Sequence, residues 1–244
     1  MSIQITGLTT LPEIKHGDSL ATLIREAAVR ENQVVGRATI VVVAQKIVSK
    51  AEGAVVDLST IEPGPFASRW AEQWGRDARL IELILRQSKR IVRMDHGILI
   101  AETLHGFVAA NAGVDLSNAG ADNQAILLPV NPDASAHLLR DELGCGAVLI
   151  TDTFGRAWRE GLVNVAIGVS GIDALEDLRG ARDRGGHLLQ ATVIARADEL
   201  ASAAGLVMPK AAGIPAALIE GLKWTPSEGS ARPLIRAAAL DLFR

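Results

Sequence analysis

Tyrosine is absent from this chain of 244 residues, and Phe and Trp contribute only four residues each. So few aromatic rings leave no platform on which nucleic-acid bases could stack. Cysteine occurs once, at Cys145; this excludes an internal disulfide framework and fits a reducing compartment. The net charge is −3, and no Lys/Arg block provides a general attraction to nucleic acid. No run approaches the roughly 18 apolar residues that span a bilayer. The N-terminus, Met1-Ser-Ile-Gln-Ile-Thr-Gly7, has no basic segment leading into an apolar stretch, so no signal peptide is expected. The expected setting is the cytoplasm.

Several chemistries are also missing. No Gly-x-x-x-x-Gly-Lys-Ser/Thr phosphate loop occurs. Gly144-Cys-Gly146 leads into a strand pattern rather than out of one, so it is not a dinucleotide fingerprint. There is no His-Glu-x-x-His, no Cys pair for zinc and no Gly-x-Ser-x-Gly elbow. The five histidines are scattered without metal-ligand spacing and receive no role. Any catalysis is expected to run through positioning and metal electrostatics, not a covalent side-chain nucleophile.

What is present is an ordinary folded chain, 48% hydrophobic and 22% charged. The patterning predicts strands at 2–8, 39–43, 90–94, 97–102, 107–111, 125–128, 146–150, 164–169 and 216–220. A helix capped by Asp18 or Ser19 carries the apolar face Leu20, Leu23, Ile24, Ala27 and Ala28. Further helices are expected at 65–74 and 77–87, broken by Gly75, then from Asp133 or Ser135 through Leu143, within 192–206, and after Ser230. The continuous β-branched run Thr39–Val43 reads as a strand buried on both faces. Strands near 90–111 lie too close for helical crossovers, so an antiparallel component is required. The fold class is therefore α+β with mixed and antiparallel sheets and flanking helices. The chain is read as a single domain over 1–244, with two α+β lobes as a variant.

Two acidic segments carry the strongest chemical signal. Asp115 follows Phe107-Val-Ala-Ala110 in Asn111-Ala-Gly-Val-Asp115-Leu-Ser-Asn118, and Asp152 follows Ala147-Val-Leu-Ile150 in Thr151-Asp-Thr-Phe-Gly-Arg156. Carboxylates beside Asn and Thr oxygens at strand ends suit hard cations such as magnesium or manganese. Thr153 can add a hydroxyl ligand, while Arg156 and Arg159 can hold an anion. The plain alternative is an Asx-turn after a strand, with the arginines in solvent. Lys50, with Gln45 and Lys46 nearby, follows a buried strand and could receive a triphosphate; such lysines are more often simply solvated. Met208-Pro-Lys-Ala-Ala-Gly-Ile-Pro215 is a Gly/Pro loop before a strand. Trp70 and Trp74 are spaced for packing along a helix. Residues 179–186 read as a solvated loop from which Asp183 can approach the site.

Together these segments resemble the coenzyme F420 γ-glutamyl ligase family. The matching elements are Leu11-Pro-Glu-Ile14, Ser49-Lys50-Ala-Glu-Gly53, Asn111–Asn118, Thr151–Arg156, Ala166-Ile-Gly-Val-Ser-Gly171 and Gly213-Ile-Pro215, in family order over nearly the whole chain. The resemblance implies a GTP-dependent ligase that adds L-glutamate to the deazaflavin precursor through an acyl phosphate, with further γ-glutamyl additions. It places GTP on Leu11, Pro12, Glu13, Ile14, Gln45, Lys46, Lys50, Asn118 and the loop Met208, Pro209, Lys210, Ala211, Ala212, Gly213, Ile214. It places divalent ions, Mg2+ or Mn2+, on Asp115, Asp152 and Thr153, with K+ a further candidate. Catalytic work would fall to Asp115, Asp152, Lys50 and Arg156. It also implies an intertwined homodimer, with no nucleic-acid or membrane partner. Some relatives carry an acidic metal ligand where this chain has Lys210, and some carry an added C-terminal flavin-binding domain, which is not expected here. Two other readings use the same carboxylates: a metal-dependent nucleotide phosphohydrolase, or a non-catalytic GTP-binding regulator.

Overall fold

The computed structural model describes residues 2–116 and 123–241. In chain order the strands and helices are β1 (Gln4–Gly7), α1 (Leu20–Arg30), β2 (Ile40–Ala44), α2 (Gln45–Ala51), β3 (Val55–Asp57), α3 (Pro65–Trp74), α4 (Ala78–Arg86), β4 (Ser88–Asp95), β5 (Ile98–Thr103), β6 (Val108–Ala110) and β7 (Gln124–Ile126). They continue with α5 (Pro132–Leu143), β8 (Ala147–Arg156), β9 (Arg159–Ser170), β10 (Glu176–Asp177), β11 (Val193–Ile194), α6 (Arg196–Gly205) and β12 (Ala216–Glu220). The architecture is α+β, as the patterning predicts.

The central sheet has the order β1-β12-β2-β8-β9. Only β2 and β8 run parallel; every other neighbouring pair is antiparallel. Alternation along the strands divides its side chains between two cores. Val41, Val43, Val148, Ile150 and Leu218 face Leu20, Ile24 and Ala27 of α1 and Leu139 and Leu143 of α5. Ile40, Val42, Leu149 and Ile219 face Ala197, Leu200, Ala201 and Ala204 of α6. Fully buried side chains of this size each contribute roughly 1.5–3 kcal/mol, which fixes the sheet between its two helical layers. A third core packs α3 and α4 on the antiparallel meander β4-β5-β6. That meander is the antiparallel component expected between residues 90 and 111.

The local signals mostly act as expected. Ser19, not Asp18, caps α1, its Oγ accepting from Thr22 N at 3.3 Å. Gly75 ends α3 in the left-handed conformation, φ 61°, and Asp77 caps α4. Three expectations are corrected. Asn131 caps α5 through Oδ1, so Asp133 falls in the first turn. There its carboxylate instead accepts from Val169 N, Ala231 N and Ser230 Oγ. No α-helix follows Ser230 among the described residues; only the 3-10 turns Arg232–Leu234 and Ala238–Leu240 form. Neither turn buries a residue, and an unpacked helix that short is marginal in water. Finally, the strand expected at 146–150 continues to Arg156 and pairs with β9 as one long hairpin. Asp152 therefore lies within a strand, not past its end.

Candidate active site

Strand directions bring distant segments to one edge of the central sheet. Because β1 and β2 both oppose β12, while β2 and β8 are parallel, the carboxyl ends of β1, β2 and β8 share an edge with the start of β12. Leu8 N donates to Ala216 O and Ala44 N to Pro215 O, both at 2.8 Å, which fastens the loops leaving β1 and entering β12 beside the end of β2. Gly7 makes this closure possible: a Cβ there would stand 2.5 Å from Val207 O and 3.0 Å from Ile214 Cγ2. A crevice at the carboxyl ends of strands is a common place for ligands in α/β sheets.

A cavity of about 660 Å³ opens at this edge, a size that holds a small ligand. Its walls are Leu11–Ile14 from the first loop and Met208–Ala211 with Gly213–Pro215 from the late loop. Gln45, Lys46 and Lys50 of α2, Thr151, Asp152 and Thr153 of β8, Asn164 of β9, and Asp115 also line it. The helix α2, which the strand-like run before it hides in the sequence, is what turns Gln45, Lys46 and Lys50 onto one side.

Asp115 comes from the segment between β6 and β7. Asn111, Ala112 and Gly113 turn with φ of 54°, 52° and 74°, three consecutive left-handed residues. Asp115 then exchanges backbone hydrogen bonds with Ile126, at 3.0 and 2.8 Å. Its Oδ2 lies 2.7 Å from Lys46 Nζ. Lys50, buried along its stem, pairs with Glu13. Burial pushes the Asp152 carboxyl up to about 6, and the negative charge of Asp115 adds to that rise. The Thr153 N–H and the charges of Lys210 and Lys46 act in the opposite direction. The two carboxylates thus sense each other across one cavity.

Of the residues singled out in the sequence, Ala212, Arg156 and Asp183 lie outside this lining. Ala212 is in the late loop but outside the lining. Asn118 lies outside the described residues. Arg156 is not brought to this cavity: it sits at the tip of the β8–β9 hairpin, where its guanidinium donates to the carbonyls of Glu160 and Gly161. Asp183 belongs to a tight turn, accepting from His187 N at 2.8 Å. Asn164 is a site residue that the sequence reading missed. Directly across from Thr153 in the hairpin register, it accepts from Thr153 Oγ1 at 3.0 Å and lines the cavity. Its signal was a lone amide between Val163 and Val165.

The donor set suits a hard cation. Asp115, Asp152 and Thr153 offer oxygen alone, and the proton of Thr153 is engaged by Asn164, leaving its lone pairs available. Among the described residues no group of three or more His, Cys, Asp or Glu could enclose a metal. A cation here would take its remaining ligands from water and a bound phosphate, the usual arrangement for magnesium. The Gln45 amide adds a second hint of a ligand. Its Oε1 accepts from Ser49 Oγ at 2.8 Å, while its buried Nε2 has no partner among the described residues.

Residues 9–221 match the family described as F420-0:gamma-glutamyl ligase. The chain is similar to the coenzyme F420:L-glutamate ligase of Methanothermobacter thermautotrophicus, 44% identical with the whole of both chains covered. It is 46% identical to that of Methanopyrus kandleri over 95% of this chain and 94% of the relative. Against that of Methanocaldococcus jannaschii the identity is 40%, over 99% of this chain and 97% of the relative.

Proposed function

Because the chain belongs to the F420-0:gamma-glutamyl ligase family, we propose that it joins L-glutamate to the deazaflavin precursor coenzyme F420-0 at the expense of GTP. The observation that carries this reading is the cavity at the sheet edge, where Glu13, Asp115 and Asp152 share the lining with Lys46, Lys50 and Lys210. Carboxylates and ammonium groups in equal measure suit a cation-bound polyphosphate better than a neutral ligand.

A carboxylate does not condense with an amine in water without activation. The precursor's terminal carboxylate attacks the γ-phosphorus of GTP, forming an acyl phosphate as the bond to the β-bridging oxygen breaks and GDP leaves. The α-amine of glutamate then attacks the acyl carbon, phosphate departs, and the amine proton is lost to give the amide. Leu11–Ile14 and Met208–Ile214 hold the nucleotide between them, and Lys46, Lys50 and Lys210 offset its phosphate charge. Asp115, Asp152 and Thr153 would hold Mg2+ or Mn2+, which when bound neutralises charge on the transferring phosphoryl group. Asn164 orients the Thr153 hydroxyl. Neither Ser, Cys nor His lines the cavity among the described residues, in keeping with a reaction driven by position and electrostatics.

The same reading includes a homodimer. The outer half of the β8–β9 hairpin extends past β2, which pairs with β8 only from Ala147 to Thr151, and Trp158 and Leu162 near its tip are 79% and 61% exposed.

Mass spectrometry of the purified protein with GTP, Mn2+ or Mg2+, glutamate and the precursor tests the activity. The expected product is heavier by one glutamyl unit and appears only with all components. Phosphate release from GTP without precursor or glutamate would point to a phosphohydrolase, and GTP binding with no product to a regulator.

A further inference from the structure

We propose that Lys46 is a tethered counter-ion: it holds Asp115 in the ligand-free protein, yields to a divalent cation, and so couples cation binding to nucleotide binding. The proposal rests on the cation assignment to Asp115 and Asp152 made above.

The contact is direct. The Lys46 ammonium stands 2.7 Å from Asp115 Oδ2. Magnesium sits about 2.0–2.1 Å from its oxygens, and two cations crowded on one carboxylate repel strongly in a partly buried site. The side chains of Lys46 and Asp115 are 22% and 31% exposed, so solvent only partly screens that repulsion. Lys46 also lines the cavity that holds Asp152. Lys50 is turned instead to Glu13.

Displacement is physically easy. A lysine is a compact charge on a flexible four-carbon stem with three rotatable donors, and Lys46 extends from the first turn of α2 into the cavity. Once released from Asp115, it remains within the chamber that would receive the nucleotide. A phosphate there gives the freed ammonium a new partner. The nucleotide thus favours the cation beyond any oxygens it contributes itself, and the cation favours the nucleotide by the same factor.

Manganese binding, followed by electron paramagnetic resonance with and without a non-hydrolysable GTP analogue, tests this. In the absence of nucleotide, Lys46→Met should bind Mn2+ on the order of tenfold more tightly than wild type, within the 5–150-fold range of typical couplings. The strengthening of Mn2+ binding by the nucleotide should shrink in that variant. Lys46→Arg, which keeps the charge, should retain wild-type Mn2+ affinity. Lys46→Gln is measured alongside, so that a folding defect in the Met variant does not decide the matter. Unchanged or weaker Mn2+ binding in folded Lys46→Met and Lys46→Gln overturns the proposal. Asp152→Asn separates the two layers. If it abolishes Mn2+ binding while the Lys46 variants change nothing, only the counter-ion role fails. If it too has no effect, the cation assignment fails and the proposal falls with it.

Discussion

At the scale of the residue, Asp152 bears an energetic load set by its burial and by Asp115. Burial, with the charge of Asp115, lifts its carboxyl from 3.8 to about 6. A carboxyl raised in the folded state favours folding below its unfolded value, and that contribution is lost as pH climbs through the folded value. Chelator-treated protein should therefore lose stability between about pH 4 and 6, by at most roughly 3 kcal/mol. Asp152→Asn should be more stable than wild type at pH 7.5 in urea unfolding, with the gap closing below pH 4. The same variant should lose about 10²-fold or more in kcat/KM. A stability gap that stays constant across this range would contradict the assigned cause. The carboxylates were legible in the sequence because apolar runs announce them. Asn164 was not, since its importance depends on the Thr153–Asn164 register across the hairpin, which no local pattern encodes.

At the scale of the element, the left-handed turn Asn111–Gly113 and the bridge to Ile126 fix where Asp115 begins. Gly113 meets both demands of that turn: φ is 74°, and a Cβ would stand 2.8 Å from the Leu128 side chain. Gly17 has a similar φ, 85°, but nothing within 4 Å of a Cβ. Gly17→Ala should cost about 1–2 kcal/mol, from the backbone alone. Gly113→Ala should cost about 1–3 kcal/mol more and lower activity by shifting Asp115. Equal losses in urea unfolding would show that the Leu128 contact is unimportant. Element boundaries were readable where a cap or breaker marks them, as at Ser19, Gly75 and Asp77. The helix α2 lacked such a mark: its N-cap is Ala44, with no side-chain hydrogen bond. The segment after Ser230 shows the reverse error, helical composition without a buried face. The hairpin was underestimated because polar Thr151, Asp152 and Thr153 interrupt the apolar run that betrays its first half.

At the scale of the whole molecule, the α+β class followed from strand spacing, but the order β1-β12-β2-β8-β9 could not. It pairs the two ends of the chain, and contacts so far apart leave no periodic trace. Yet this order is what gathers residues 11–14, 45–50, 152–153 and 208–215 around one cavity. No helix among the described residues is long and apolar enough to cross a membrane. If the projecting hairpin joins two copies, light scattering after size exclusion should give twice the mass of 25.7 kDa. Trp158→Asp together with Leu162→Asp should shift that mass toward the monomer; an unchanged mass would remove the hairpin tip from the interface. The proposed function requires Asp115 and Asp152 to serve a single cation, and a double-mutant cycle tests this most directly. Mn2+ affinity, with the non-hydrolysable GTP analogue bound, is measured for wild type, Asp115→Asn, Asp152→Asn and the double variant. Ligands of one ion should be strongly non-additive, the double variant losing little more than the worse single one. Losses that simply add would place the two carboxylates on separate functions.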